Sequence, residues 1–297
     1  MTFTQLEIFA LVAELRGFTA AAMQLSISQS AVSHALKSLE RELGVDLIKR
    51  HQAAIEVTEI GQQLLGRTRE ILGLSEAMRQ EVADARGLKR GSLRIGSFGP
   101  TSSLKLLPAI LDEYRRRYPL IEIHVDEDAD DEVVQWILDR RVDVGFVVLP
   151  EERFDTVTLV EDQLVALVPG THALAGKRAV ALADLCDGPF IMSEGGCAAL
   201  IEPLFTSARL TPQVRYRISQ MITIFGMVER GDGVAIVAEL ALPDNMAAMH
   251  PGLLKIPLKP RVKRRVGLAV RDIRQLTPAA KAFLEVAKGL APGLLFA

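Results

Sequence analysis

The last two thirds of the chain carry one order of segments twice, and this repetition restricts the fold more than any other feature of the 297 residues. Residues 93–97 read as a strand, 102–118 as a helix, 121–125 as a strand, 131–140 as a helix and 143–148 as a strand. Residues 189–193, 196–208, 213–218, 220–230 and 233–237 repeat that order. Even the endings correspond, Arg141-Val142-Asp143-Val144-Gly145 answering to Gly231-Asp232-Gly233-Val234-Ala235. Alternating strands and helices predict parallel sheets with right-handed crossovers. Residues 158–168 should cross into the second half and 266–270 return, leaving a cleft at the strand C-termini and helix N-termini.

Thr101, Ser102 and Ser103 follow the first strand and open a helix, where hydroxyls and free backbone N–H groups suit an anion. Capping alone would explain them at a single site. The second half offers a matching end, Ser193-Glu194-Gly195-Gly196-Cys197, whose glycines allow close backbone approach. Together the two ends predict a small-molecule site suited to a carboxylate, met by N–H and hydroxyl groups because neither end carries a lysine or arginine. Thr223 is a third candidate, while Phe98, Phe146 and Val148 fit a cleft wall and a core equally well. Cys197 opens a helix, which favours its thiolate, but Cys186 precedes a strand and does not occupy a resolving position; a structural or ligand-contacting role is preferred. The basic run Lys259, Arg261, Lys263, Arg264 and Arg265 reads as a solvated strand beside the hinge.

Ahead of this, Phe3, Leu6, Phe9, Ala10, Ala13 and Leu15 recur at helical spacing, and a first helix should end near Gly17. Thr19 reads as the cap of a second helix, residues 20–25, which Ser26-Ile27-Ser28 breaks. Ser28 then caps a third helix stopped by Gly44, with Val32, Leu36, Leu39 and Leu43 as its buried stripe. That spacing is helix-turn-helix. The opposite face presents Gln29, Ser30, Ser33, His34 and Lys37, short polar or cationic groups able to reach base edges and phosphates. Val45 and Leu47 with Ile55 and Val57 read as a hairpin wing, with Arg50 near its tip. From Thr58 to Arg86 there is no proline, and Leu64, Ile71, Met78 and Ala85 fall one heptad apart, predicting a long helix with a dimer seam.

The runs Gly17-Phe18-Thr19-Ala20-Ala21-Ala22, Leu25-Ser26-Ile27-Ser28-Gln29-Ser30-Ala31-Val32-Ser33, Leu39-Glu40-Arg41-Glu42-Leu43-Gly44-Val45-Asp46-Leu47 and Thr58-Glu59-Ile60-Gly61 resemble, in order and register, the signature of LysR-type transcriptional regulators. Two departures are His34, where the family places an arginine, and a wing segment, His51-Gln52-Ala53-Ala54, without its extra basic residues. The resemblance implies an α+β multidomain chain: a winged helix-turn-helix over 1–58, a linker and dimerisation helix over 59–88, and a two-lobed periplasmic-binding-protein-like (type 2) effector domain over 89–297. The first lobe would take about 89–162 and 267–297, the second about 163–266. Thr19 and Ser28 join Gln29, Ser30, Ser33, His34, Lys37 and Arg50 as the expected DNA contacts. The partners implied are operator double-stranded DNA, an effector and further copies of the chain, as a homodimer or a tetramer built as a dimer of dimers.

Composition narrows the alternatives. A formal net charge of −2 does not announce nucleic-acid binding, so that reading rests on the local motif. Apolar stretches are broken by charge every few residues, and the first residues lack the basic start of a secretory signal, so a cytoplasmic, membrane-free protein is expected. Two cysteines make no disulfide framework, and scattered His124, His172 and His250 have no metal-ligand spacing. No catalytic triad, cofactor motif or metal motif stands out, so the chain is read as a regulator and not an enzyme. The competing readings are a thiol-based redox sensor using Cys197, a cytoplasmic solute-binding protein, and a cysteine-dependent enzyme.

Overall fold

The computed structural model describes residues 1–50, 55–86, 89–194 and 198–294, the side chains of residues 50 and 198 excepted. The chain divides into two compact units, Met1–Gly91 with Leu138–Arg141, and Ser92–Ile137 with Val142–Ala297.

In the first unit α1 (Phe3–Leu15), α2 (Phe18–Gln24) and α3 (Gln29–Leu43) are followed by the hairpin β1 (Ile48–Arg50) and β2 (Ile55–Val57) and by the long helix α4 (Glu59–Ala85). A capping box opens α1: the Gln5 amide donates to Thr2 Oγ1 and the Thr2 amide to the Gln5 side chain. The second helix begins earlier than the sequence suggests. Gly17 is its N-cap, and Thr19 lies exposed inside the first turn without a capping role. The break after α2 is a Schellman closure: Ser26, at φ 54°, sends its N–H to the Met23 carbonyl, and the Ile27 N–H bonds the Ala22 carbonyl. Ser28 caps α3 as expected, accepting from the Ala31 amide at 3.2 Å.

Val32, Leu36 and Leu39 are buried with Phe9, Val12, Phe18 and Ala21, but Leu43 is exposed because the last turn of α3 runs past this core. The wing also starts later than predicted. Ile48 pairs with Val57 and Arg50 with Ile55, while Val45 stands outside the hairpin and is exposed. Residues 51–54 lie outside the described residues. The wing is tied to α3 by Glu40, whose carboxylate accepts from the Leu47 and Ile48 amides at 2.9 and 3.1 Å. It is tied to α4 by Thr58, which donates to the Asp46 carbonyl and caps the helix through the Gly61 amide. At Gly61 a side chain has no room: a methyl there would sit 2.3 Å from the Leu47 carbonyl oxygen and 2.8 Å from a Val57 methyl.

The second unit is built on one eight-stranded sheet in the order β4-β3-β5-β10-β6-β9-β7-β8. Its first lobe contains β3 (Gly91–Phe98), a wide π turn (Thr101–Leu106) continuing into α5 (Leu107–Arg117), β4 (Ile121–Asp128), α6 (Asp130–Leu138) and β5 (Val144–Leu149). Its second contains β7 (Pro189–Ser193), α7 (Ala198–Ser207), β8 (Gln213–Ile218), α8 (Met221–Glu229), β9 (Val234–Ala238) and the short α9 (Met246–Met249). Two long strands, β6 (Asp155–Pro169) and β10 (Leu253–Val270), run through both lobes, and α10 (Pro278–Leu290) returns to the first. There the Tyr114 hydroxyl of α5 donates to the Ala279 carbonyl, and its ring meets Phe283 edge-on.

The sheet is mixed, not purely parallel. β3 with β5, and β7 with β8 and β9, are parallel, whereas β10 and β6 run antiparallel to each other and to β5 and β9. The crossing strands return as neighbours in the sheet, which needs no helical crossover. Their register also places the cleft. Leu149, ending β5, pairs with Arg265; Arg265 pairs with Glu161; and Leu164, three residues on, pairs with Ala238, which ends β9. The C-terminal ends of both lobes' strands therefore converge on the middle of the crossing pair.

Gly61→Ala is expected to lower the stability of the first unit by about 1–3 kcal/mol, the usual cost of overpacking. Urea unfolding would show this as an earlier transition; an unchanged transition would mean that α4 moves off the Leu47 carbonyl without cost.

Candidate functional site

On α3 the residues predicted to meet DNA share one side of the helix, three and four residues apart and opposite Val32, Leu36 and Leu39. Gln29, Ser30, His34 and Lys37 are exposed and Ser33 half-buried. Ser28 faces solvent at the N-cap, its hydroxyl 2.9 Å from that of Ser30. Lys49, on β1, adds an exposed cation, and the backbone of Arg50 is paired with Ile55. The whole polar face is delivered by a helix whose other side is locked into the core.

At the convergence of the lobes the hydroxyls are mostly committed to the protein itself. Ser102 is fully buried: it accepts from the Phe98 amide at 2.8 Å and from Ser97 Oγ at 2.9 Å, and donates to the Phe98 carbonyl. Its hydrogen-bonding capacity is used in closing the turn after β3, so it has no donor left for a ligand. Ser103 Oγ lies 2.9 Å from Ser97 Oγ. Thr101, 2% exposed, accepts from Arg264 at 2.7 Å and keeps its own O–H to donate. Ser193 differs from all of these. It is fully buried at the end of β7, and its hydroxyl has no hydrogen-bond partner among the described residues.

Arg264 contradicts the expectation of a solvated strand. On β10 the side chains alternate, so Lys263 and Arg265 point out while Arg264 points in, its side chain 3% exposed. Its Nε donates to Asp162, its cross-strand partner on β6, at 2.7 Å. The other oxygen of Asp162 accepts from the Gln163 amide and from the Leu240 amide of the second lobe, at 2.7 and 3.1 Å. A single buried ion pair thus joins both crossing strands, the first turn of one lobe through Thr101, and the turn after β9 of the other.

Residues 3–62 match the family described as "Bacterial regulatory helix-turn-helix protein, lysR family", and residues 86–291 match the "LysR substrate binding domain". The chain belongs to the LysR family of transcriptional regulators. It is 34% identical over 291 residues to the "Uncharacterized HTH-type transcriptional regulator YvbU" of Bacillus subtilis, covering 98% of this chain and 99% of that one. It is 35% identical to the "Probable HTH-type transcriptional regulator LrrA" of Synechococcus elongatus, over 98% of each. Among solved structures, full-length CbnR, a LysR family regulator complexed with its target DNA, matches with a TM-score of 0.62 at 25% identity, covering 97% of this chain and 99% of that one.

In this LysR-type regulator, then, the first unit carries the DNA-binding motif and the second the effector-binding fold. Phe98 and Phe146 lie in the core, 2% and 0% exposed, and Thr223 is exposed on α8. Gly195, Gly196 and Cys197 lie outside the described residues. Cys186 is half-buried and donates to the Leu182 carbonyl; burial, with Asp187 beside it, pushes its thiol pKa up and away from reactivity. Asp130, opening α6, feels Arg264, but burial dominates and raises its carboxyl above the ordinary range. Asp162 and Asp130 were missed from sequence, and Arg264 was read only as one of a solvated basic run. The inward parity of Arg264 on its strand was the available signal, and it becomes readable only when the register is known.

Asp162→Ala leaves the Arg264 charge buried and uncompensated, and is expected to cost about 3–5 kcal/mol. Replacing both, as Asp162→Leu with Arg264→Met, should restore most of that loss. Urea unfolding of the three proteins checks this; a single variant as stable as wild type would refute the central role of the pair.

Proposed function

We propose that this regulator reads its operator with α3 and responds to a small organic carboxylate held where its two lobes converge. The observation that carries the ligand reading is Ser193: a buried hydroxyl without a partner among the described residues leaves a desolvation cost of about 1–3 kcal/mol unmet, which a bound ligand recovers. Across the cleft, Thr101 has an O–H to give, whereas the Ser103 hydroxyl donates to Ser97, whose own proton goes to Ser102, so that a ligand would meet Ser103 through its backbone. Gly195, Gly196 and Cys197, outside the described residues, stay assigned as ligand contacts in this reading on sequence grounds alone. Ser102 positions the turn and does not touch the ligand.

Occupancy would bias the relative disposition of the lobes by the difference in affinity for their arrangements. The paired heads of an oligomer would carry that bias to DNA. An exposed apolar line on the 27-residue α4 supports a dimer: Ile71, Leu74, Met78 and Val82 recur at three to four residues. A chain that acts on DNA belongs in the cytoplasm, and among the described residues no helix is long and apolar enough to cross a membrane. The CbnR complex supports DNA as the partner, and base readout is assigned to Gln29, Ser30, Ser33 and His34 and phosphate contact to Lys37 and Arg50 from the polar face of α3 and the position of the wing.

A thermal-shift screen of organic acids on the full chain tests the effector reading. The acid that raises the wild-type midpoint should bind Ser193→Ala more weakly by about 0.5–3 kcal/mol, with effector-free DNA binding unchanged. Equal binding by the variant would move the site elsewhere.

For DNA, Gln29→Ala is expected to lose about 1–3 kcal/mol of discrimination between operator and random sequence, while Lys37→Ala weakens both alike. Fluorescence anisotropy at fixed salt separates the two, and undiminished discrimination by the Gln29 variant would place base readout on other residues.

A further inference from the structure

Beside the Asp162–Arg264 pair lies a pocket of about 490 Å³ that includes none of the cleft residues Thr101, Ser102, Ser103, Ser193 or Thr223. Lys105 supplies its wall from the first lobe and residues 239–244 its wall from the second, with the crossing strands between them. Its charges can be matched one by one. Lys105 pairs with Asp244, Lys255 with Glu239 at 2.8 Å, Lys263 with Glu161 at 3.2 Å, and Asp162 with the buried Arg264. Every carboxylate of the lining is thereby paired, and one lining cation, Arg261, forms no salt bridge or hydrogen bond among the described residues and acts on Glu239, already held by Lys255 and Gln163, only at longer range. The lining's own four cations and four carboxylates balance, and with the buried Arg264 counted against Asp162 one positive charge is in excess.

The backbone puts Arg261 there by a specific device. Pro257 of β10 pairs with Val165 and Val262 with Leu164, so residues 258–261 bulge out opposite no residue of β6. The bulge is held in place: the Val180 amide donates to the Pro257 carbonyl at 3.0 Å, and the Lys259 amide to the Val180 carbonyl at 2.7 Å. Bulges of this kind re-aim side chains beside functional sites. Leu240, Leu242 and Pro243 give the same pocket an apolar side.

We infer that this pocket is a second ligand site, taking a small monocarboxylate with its carboxylate on Arg261 and its apolar body over Leu240, Leu242 and Pro243. A single negative charge cancels the excess; a dianion would leave net negative charge facing Glu161 and Glu239. Because the walls come from both lobes, such a ligand holds one lobe arrangement and can act together with the cleft or against it.

The test is a ¹⁹F NMR titration of the full-length protein with 4-fluorobenzoate, and with neutral 4-fluorobenzamide for comparison. Saturable binding of the acid and none of the amide is expected. Arg261→Gln should weaken the acid about tenfold, the scale of one charge-assisted hydrogen bond. Arg265→Gln, an equal loss of charge at an exposed position of the same strand outside the pocket, and Ser193→Ala, in the cleft, should each stay within twofold of wild type. The assignment is overturned if 4-fluorobenzoate does not saturate, if the amide binds equally, if Arg261→Gln binds like wild type, or if either control weakens binding as much. Loss confined to Ser193→Ala would leave the cleft as the site and remove this one.

Discussion

Burying a guanidinium and a carboxylate together is costly, and the second unit does so at the point where its two longest strands cross. The arrangement is tolerable because the carboxylate of Asp162 is met by Arg264 and by two backbone amides, and the guanidinium by Asp162 and Thr101. Removing any one strand from this register would strand a charge in a dry interior. The pair therefore fixes which residues of β6 and β10 face each other, and through them where the strand ends of both lobes meet. The position of the cleft, the closed turn after β3 and the neighbouring pocket all follow from that register.

The DNA-binding unit rests on a different constraint, close approach of backbones. Alanines in α2 let α3 pack tightly, Ser26 accepts a left-handed conformation so that the chain can turn between them, and Gly61 lets α4 start against the Leu47 carbonyl. Glu40 then holds the root of the wing to α3 through two amides. Polar capacity is spent inside the unit wherever geometry must be held. The exposed face of α3 is left with its side chains directed to solvent, as a helix that reads a groove requires.

The same division separates residues of one chemical type around the cleft. Ser102, in the turn after β3, and Ser193, at the end of β7, are both fully buried, yet one hydroxyl is saturated by its own turn and the other has no partner among the described residues. Arg264 and Arg261 stand three residues apart on one strand, one turned inward to Asp162 and the other carried out over a pocket by a bulge. Residue type sets what a group can do; its committed partners set what it does.

Sequence alone determined what depends on local pattern: the helix-turn-helix with its Ser28 cap, the polar face of Gln29 to Lys37, the long proline-free helix, and the twice-repeated strand–helix order. These follow from side-chain period, capping and turn chemistry, which act over a few residues. It misplaced the cap of α2, the end of the buried stripe at Leu43 and the start of the wing at Val45, because each is set by how far an element runs past a core formed elsewhere. Only the tertiary structure decided that the sheet is mixed, that Ser102 is closed off while Ser193 is not, and that a basic run holds one inward arginine. Those outcomes depend on pairing between strands about a hundred residues apart, as Asp162 is from Arg264, and a one-residue shift in that register would exchange the buried face for the exposed one.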